Sequence, residues 1–498
     1  MVDSHVPSST SSTVEAEKMD VAADRMPYSD DNPRRHSLER LESQNKETLA
    51  NIFAEPAVAA EADLEKNDLA PKQPAFPGAS APSDFPDGGF EAWLVVLGAW
   101  CCLFCSFGWI NCIGVFQQYY QTHQLAEYSS STVAWIPSME VFMMFMGGPA
   151  FGKIFDSYGP RYMLLGGSIA HVFGLMMASL STQYYQFILA QGICSALGAS
   201  AVFYSANSVL PTWFFKKRAT AFGITASGSS LGGVIFPIMV TKLIPQIGFA
   251  WTMRTAAFTI LGMLIIANLT VKSRLKPSPR PVALMDFITP LKEPTYALLA
   301  AGSFFFFFGT FIPFNFIIMQ ALEYGMSPDL ATYLLPILNA TRSVPSLLLA
   351  AIPNTPSIFG RILPGIFADR YGRFNTMIST CIFSAAMVLA LWLPSRGNIP
   401  IIIFGALYGF SSGAFVSLLP SLVAQISDVR QIGVRNGTLF LIVSFAGLTG
   451  NPIAGALVAR TGGAFTGLQV FCGLAMAVGS ALYAGSRWVQ VGWKMKVI

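Results

Sequence analysis

Gly152-Lys-Ile-Phe-Asp156-Ser-Tyr-Gly159-Pro-Arg161 recurs 213 residues later as Gly365-Ile-Phe-Ala-Asp369-Arg-Tyr-Gly372-Arg373. Both copies lie between long apolar stretches. A charged, glycine-pinned turn repeated after the second apolar span of each half implies a transporter built from two similar halves. The glycines allow a tight turn or a close helix approach. Gly152, Asp156 and Arg161, with Gly365, Asp369 and Arg373, are therefore expected to form a cytosolic gate. In it Asp156 pairs with Arg161 and Asp369 with Arg373, and the pairs break when the halves rock.

Composition agrees with a membrane body. The 498 residues are 53% hydrophobic and 12% charged, with a mean hydropathy of +0.51, well outside the range of soluble domains. Charge is unevenly distributed. Residues 1–89 hold 8 basic and 17 acidic side chains, and the other 409 residues hold 23 basic and 10 acidic ones. The acidic stretch is rich in Ser, Pro, Ala and Glu, buries too little apolar surface to offset ordering entropy, and reads as a disordered cytosolic tail. It shows no signal-peptide pattern. Ser37, after Arg34-Arg35-His36, is a candidate phosphorylation site in it, although an inert solvated tail is the plainer reading.

A spanning helix needs about 20 mostly apolar residues. Twelve candidates fall near 92–117, 130–152, 162–181, 184–208, 219–244, 250–271, 295–321, 328–368 (interrupted), 375–394, 399–421, 437–459 and 465–487. With an inward amino terminus, 18 of the 23 basic residues of the body lie in inward-facing loops. The positive-inside rule then puts both termini in the cytosol. The expected organisation is a tail over 1–89, a six-helix half over 90–271, a cytosolic linker over 272–294, a second six-helix half over 295–488 and a cytosolic tail over 489–498. The fold class is an all-α membrane protein of twelve transmembrane helices in two pseudo-symmetric halves. All 7 cysteines fall in apolar spans and read as packed thiols.

These features resemble the major facilitator superfamily over residues 90–490. Two further segments resemble the monocarboxylate porters and their fungal branch. They are Asp87-Gly-Gly-Phe-Glu-Ala-Trp93, and Trp213-Phe-Phe-Lys-Lys-Arg-Ala-Thr-Ala-Phe-Gly223 with Ser227-Gly-Ser-Ser-Leu-Gly232. The resemblance implies the major facilitator fold and alternating access to a small-molecule substrate without ATP hydrolysis. The branch includes riboflavin and organic-acid carriers and exporters encoded beside secondary-metabolite genes. The residues agree on one point. The chain has no Gly-x-x-x-x-Gly-Lys-Ser/Thr phosphate loop, no His-Glu-x-x-His and only 4 histidines, so nothing marks an enzyme, a metal centre or a cofactor site.

Ionisable groups at mid-membrane are functional candidates by default. Glu140 is the clearest. It is either a proton-coupling carboxylate or a structural polar contact to a neighbouring helix. Arg361 matches the position at which monocarboxylate porters carry an arginine for the substrate carboxylate, where a planar guanidinium offers a bidentate fork. The alternative is an inner-end arginine contacting Asp369 or lipid phosphate. The chain departs from the porter pattern at Asn111, where a lysine is expected, and at Ser357, where an aspartate is expected. Simple proton–lactate symport is thereby disfavoured. Asn111, Tyr204 and Asn315 are candidate substrate contacts, as are Gln191, Asn207 and Asn451, although helix–helix contacts suit such groups better. His171 reads as a buried neutral histidine. Phe304-Phe-Phe-Phe-Phe308 covers every helix face, so one or two rings are left to line a pocket for a large, flat substrate.

The eighth span is anomalous. The stretch 328–368 has 41 residues, and Pro345, Pro353 and Pro356 each break helical bonding. Residues 341–356 read as a translated intron, with a re-entrant insertion as the rival; the transcript sequence distinguishes them. The expected protein is a plasma-membrane carrier, with no nucleic-acid partner, monomeric, transporting a small organic anion or secondary metabolite and favouring export. The alternatives are import of a monocarboxylate or riboflavin-like nutrient, with or without a proton, and a non-transporting sensor that signals through the tail.

Overall fold

The structure is a computed structural model that describes residues 85–275, 279, 281, 283–334, 337–338 and 359–492. Regular structure among these is helical throughout. Most of the amino-terminal tail and residues 341–356 lie outside the described residues.

Twelve rods follow one another, as the sequence predicts. In the first half, α1 is Phe90–Thr122 and α4 is Tyr184–Thr212. Between them come α2, built from Trp135–Met146 and Gly148–Tyr158, and α3, Pro160–Ala178. A 53-residue stretch, Arg218–Thr270, supplies both α5 (218–247) and α6 (249–270), because Gly248 turns the chain at φ +79°. A short linker helix, Met285–Lys292, precedes the second half. There, α7 is Pro294–Glu323, α9 Arg373–Trp392, α10 Asn398–Gln425 and α12 Thr466–Val491. The described parts of α8 are Pro328–Thr332 and Phe359–Tyr371, and α11 is Ile432–Arg460.

Among the described residues, eight stretches are long and apolar enough to cross a membrane by themselves: α1, α4, α5 with α6, α7, α9, α10, α11 and α12. The remaining rods, α2, α3 and the described part of α8, carry Asp156, Arg161 and Asp369 of the duplicated motif, while Arg373 opens α9. Outward-facing side chains are apolar, as on α3, where Leu165, Ile169 and Phe173 are 50–63% exposed at helical spacing. Such a face suits lipid and not water.

Both copies of the motif end in a glycine with left-handed backbone, Gly159 at φ +77° and Gly372 at φ +101°. Each glycine reverses the chain between a pair of rods, α2 to α3 and α8 to α9, and is followed at once by the first residue of the next helix. Within the halves, small residues bring helices to backbone contact. A Cβ at Gly108 of α1 would fall 2.9 Å from Cα of Gly232 on α5, the close approach that membrane helices use in place of a hydrophobic driving force. Six of the seven cysteines are buried and all are free.

Candidate functional site: the junction between the halves

The two halves meet through a pair of pseudo-symmetric latches at the end of the molecule that carries the duplicated motif. On α2, the Asp156 carboxylate accepts the backbone N–H groups of Gly433 (2.9 Å) and Val434 (2.8 Å). On α8, the Asp369 carboxylate accepts those of Ala219 (3.0 Å) and Thr220 (2.8 Å), and the Thr220 hydroxyl at 2.8 Å. Each aspartate thus caps the first turn of the other half's fifth rod, α11 or α5. It supplies acceptors for orphan N–H groups and a negative charge for the positive end of the helix. The Asp369 carboxylate also pairs with Arg373 at 3.2 Å. The corresponding Asp156–Arg161 pair is not formed: Arg161, the second residue of α3, is exposed and pairs with no carboxylate among the described residues.

Glycine permits the closure. A Cβ at Gly152 would fall onto the carbonyl of Gly433, and one at Gly433 onto the carbonyl of Gly152; Gly148 and Gly437 stand in the same relation one turn away. A Cβ at Gly365 would lie 2.5 Å from the carbonyl of Ala219. Helices α2 and α11 therefore touch backbone to backbone along Gly148-x-x-x-Gly152 and Gly433-x-x-x-Gly437, a small-residue spacing legible in both segments. Asn436, between the two α11 glycines, is fully buried, and neither end of its amide has a hydrogen-bond partner among the described residues.

The two segments quoted for the finer resemblance meet in space. Asp87, at φ +48°, accepts the N–H groups of Phe215 (2.7 Å), Lys216 (2.8 Å) and Lys217 (3.2 Å). The rings of Trp93 and Phe214 lie 5.2 Å apart. Arg218 is buried and donates to the carbonyls of Phe214 (2.8 Å) and, in the other half, Ala424 (2.9 Å). Arg373 donates to the Phe215 carbonyl at 2.5 Å. One buried arginine and one paired arginine thus tie the α4–α5 turn to the second half. The linker adds two ion pairs, Lys153–Asp286 at 2.6 Å and Arg435–Glu293.

A phenylalanine layer lies one helical turn from the Gly148–Gly437 contact, on the side away from Asp156. Phe107, Phe145 and Phe203 come from the first half; Phe307, Phe311 and Phe440 come from the second. Phe145 stacks on Phe440 with centroids 5.4 Å apart and planes at 10°, and meets Phe307 edge-on at 5.5 Å. Phe203 meets Phe440 at 5.3 Å, and Phe107 meets Phe311 at 6.4 Å. Such offset and edge-on pairs are favourable beyond their burial. Of the Phe304–Phe308 run, Phe307 is the ring that reaches this layer; Phe305 is exposed. The sequence reading missed Phe107, Phe145, Phe203 and Phe440. Single rings in apolar helices carry no mark of their own, and only the approach of the halves selects them.

The other predicted residues are dispersed. Glu140 is buried inside the first half. Gln191 donates to its Oε2 at 2.9 Å, Trp109 hydrogen-bonds it as well, and Tyr120 donates to Gln191 at 2.6 Å. Gln191 sits in a π-helical stretch of α4, Ile188–Ser195, the kind of wide turn that often marks functional positions. No basic side chain pairs with Glu140 among the described residues. Asn111 donates to the Phe107 carbonyl at 2.9 Å and lies against Gly233. Tyr204 donates to the Phe145 carbonyl at 2.8 Å, so it braces the aromatic layer. Asn207 bonds back to its own helix at Phe203 (3.1 Å). Asn315 is exposed on α7, and the Asn451 carbonyl oxygen is buried without a partner among the described residues. His171 is buried between Ser195 and Cys105. The backbone of Arg361 belongs to α8; its side chain lies outside what is described.

Comparison with known proteins matches residues 99–352 to the Major Facilitator Superfamily. The chain is 53% identical to "MFS-type transporter 1" of Ophiocordyceps sp. (strain BCC 1869), over 82% of this chain and 87% of that one. It is 47% identical to the "Fujikurins efflux protein" of Gibberella fujikuroi, over 81% and 83% respectively. Among solved structures, a bacterial homologue of the iron transporter ferroportin in an outward-facing state superposes with a TM-score of 0.63, covering 80% of this chain and all of that one at 12% identity.

Proposed function

The chain belongs to the major facilitator superfamily, and on that premise we propose that it is a secondary active carrier that exports an aromatic, polyketide-like secondary metabolite by alternating access. The observation that carries this reading is the phenylalanine layer shared by the two halves and stacked directly on paired latches. Parting the latches separates Phe107, Phe145 and Phe203 from Phe307, Phe311 and Phe440. That exposes two aromatic walls to a flat apolar solute. The name of the 47%-identical efflux relative supports the direction.

We assign the chain to the monocarboxylate-porter-like branch because its two signature segments form one interlocked unit through Asp87. Arg361 receives the acidic group of a carboxylated substrate. Glu140, buried without a counter-charge, carries the coupled proton if the carrier is proton-driven. Both termini face the cytosol of a fungal cell, the carrier is a monomer, and it resides in the plasma membrane.

The test is transport by the full chain in a transport-deficient yeast, with a panel of aromatic polyketides, monocarboxylates and riboflavin. Wild type, Phe145→Leu and Arg361→Ala are compared. Energy-dependent loss of an aromatic panel member from loaded cells, weakened in Phe145→Leu, supports the proposal. Accumulation of a nutrient inside the cell favours import. Surface-localised protein with no flux for any compound, and a phenotype that vanishes when residues 1–85 are deleted, favours a sensor.

A further inference from the structure

We propose that the linker helix Met285–Lys292 is an interfacial membrane-binding element that lies on anionic lipid of the linker-side leaflet and braces the α2–α11 latch from that surface. The amphipathicity of this helix is inverted relative to a helix in water. Around the helix, Leu284, Ile288 and Leu291 fall within an arc of about 60°, with Met285 beside them, given 100° per residue. They are 74%, 39%, 38% and 53% exposed. The opposite side, Ala283, Asp286, Thr289 and Pro290, lines a cavity of about 870 Å³ against the protein. Asp286 there holds Lys153 of the first motif copy at 2.6 Å. Asp286 is thus turned toward the latch and Pro290 is buried, while Leu284, Met285, Ile288 and Leu291 face outward together with the exposed Lys292 and Thr289.

What covers that face is set by its place in the chain. Only Glu293 separates the helix from Pro294, the first residue of α7. Helix α7 runs 30 residues, about 45 Å at 1.5 Å per residue, against a hydrocarbon core of about 30 Å. The excess over the core is about 15 Å, which leaves room for the first turn of α7 to stand in the headgroup region, with the linker helix one residue from it. The segment is flanked by Lys272, Arg274 and Lys292, which complement an anionic surface. Four exposed apolar side chains, a basic flank and forced proximity to the bilayer together select lipid as the occupant.

The experiment uses the full-length protein in nanodiscs of phosphatidylcholine, with and without phosphatidylglycerol. Spin labels are placed singly at Leu284→Cys, Ile288→Cys, Leu291→Cys, Ala283→Cys and Thr289→Cys. Collision with dissolved oxygen should exceed collision with a water-soluble nickel chelate at 284, 288 and 291, and the order should reverse or both should fall at 283 and 289. The first three sites should move deeper with phosphatidylglycerol. Nickel-dominated or doubly shielded labels at 284, 288 and 291 would overturn the proposal, and oxygen dominance at all five sites would overturn the orientation. Depths that ignore phosphatidylglycerol would overturn the anionic requirement. A readout free of substitutions is photocrosslinking of the unmodified protein with acyl-diazirine phosphatidylglycerol: adducts on the peptide containing 284–291 support the assignment, and their absence alongside adducts on α3 opposes it.

Discussion

Removing the Asp156 carboxylate should open the latch end of the molecule by a calculable amount. In the closed arrangement the carboxylate accepts two backbone N–H groups of α11 at 2.9 and 2.8 Å. A hydrogen bond to a charged group contributes about 1.5–3 kcal/mol, and a carboxylate at a helix amino terminus about 0.3–1 kcal/mol more. When the halves part, water replaces these partners on both sides, so only part of the gross figure distinguishes closed from open. A differential of about 2 kcal/mol shifts the equilibrium by about 30-fold, given about 1.4 kcal/mol per factor of ten. Asp156→Asn keeps one acceptor and loses the charge, and should shift it by about 5-fold, or about 1 kcal/mol. The assay is pulsed electron spin resonance between labels at Tyr162→Cys and Tyr371→Cys, one in each half and both exposed. Cys194, the one cysteine that is not buried, is replaced by Ser. Asp156→Ala should convert a single short-distance population into a mixture with a longer component, and Asp156→Asn should give less of it. A distance distribution unchanged in Asp156→Ala refutes the latch argument.

Further consequences follow from the same junction. Gly152→Ala places a methyl group against the Gly433 carbonyl; overpacking costs about 1–3 kcal/mol, so the closed population and the transport rate should both fall, as read by the same distance measurement and by flux. Asn436→Leu removes a buried amide with no described partner, worth about 1–3 kcal/mol of penalty; it should raise the melting temperature of the closed form and slow turnover, and lower stability would contradict it. Phe145→Leu keeps apolar volume but loses the stack on Phe440, and aromatic pairing worth about 0.5–1.5 kcal/mol predicts a KM roughly 3- to 10-fold higher for aromatic substrates with little change for aliphatic ones. Glu140→Gln should leave the protein folded, since an amide still accepts from Gln191, but should abolish any dependence of flux on the proton gradient; a pH dependence equal to wild type rules Glu140 out as the coupling site.

The fold was legible because a bilayer leaves few choices. Apolar stretches of spanning length, basic loops on one side and the duplicated Gly-x3-Asp-x2-Gly core at 152–159 and 365–372 suffice for twelve helices in two halves. For the motif aspartates the sequence named one partner that the structure contains, Arg373 beside Asp369, but not the backbone N–H groups that both carboxylates cap. A local reading paired Asp156 with Arg161, five residues on; the structure pairs it with backbone 277 residues away. Backbone donors have no letter in a sequence, so a carboxylate that caps a distant helix looks the same as one awaiting a nearby cation.

The amino-acid order by itself determined the number of rods and the turns at Gly159 and Gly372, because each depends on local hydropathy, spacing or glycine backbone freedom. Tertiary structure alone decided which glycines touch, which six of the 40 phenylalanines form the shared layer, that Tyr204 braces that layer against Phe440, and that Glu140 faces its own half. Those outcomes depend on how two six-helix bundles approach each other. In a chain whose apolar residues point both to lipid and to the interior, hydropathy does not distinguish the two directions, and packing between the halves does.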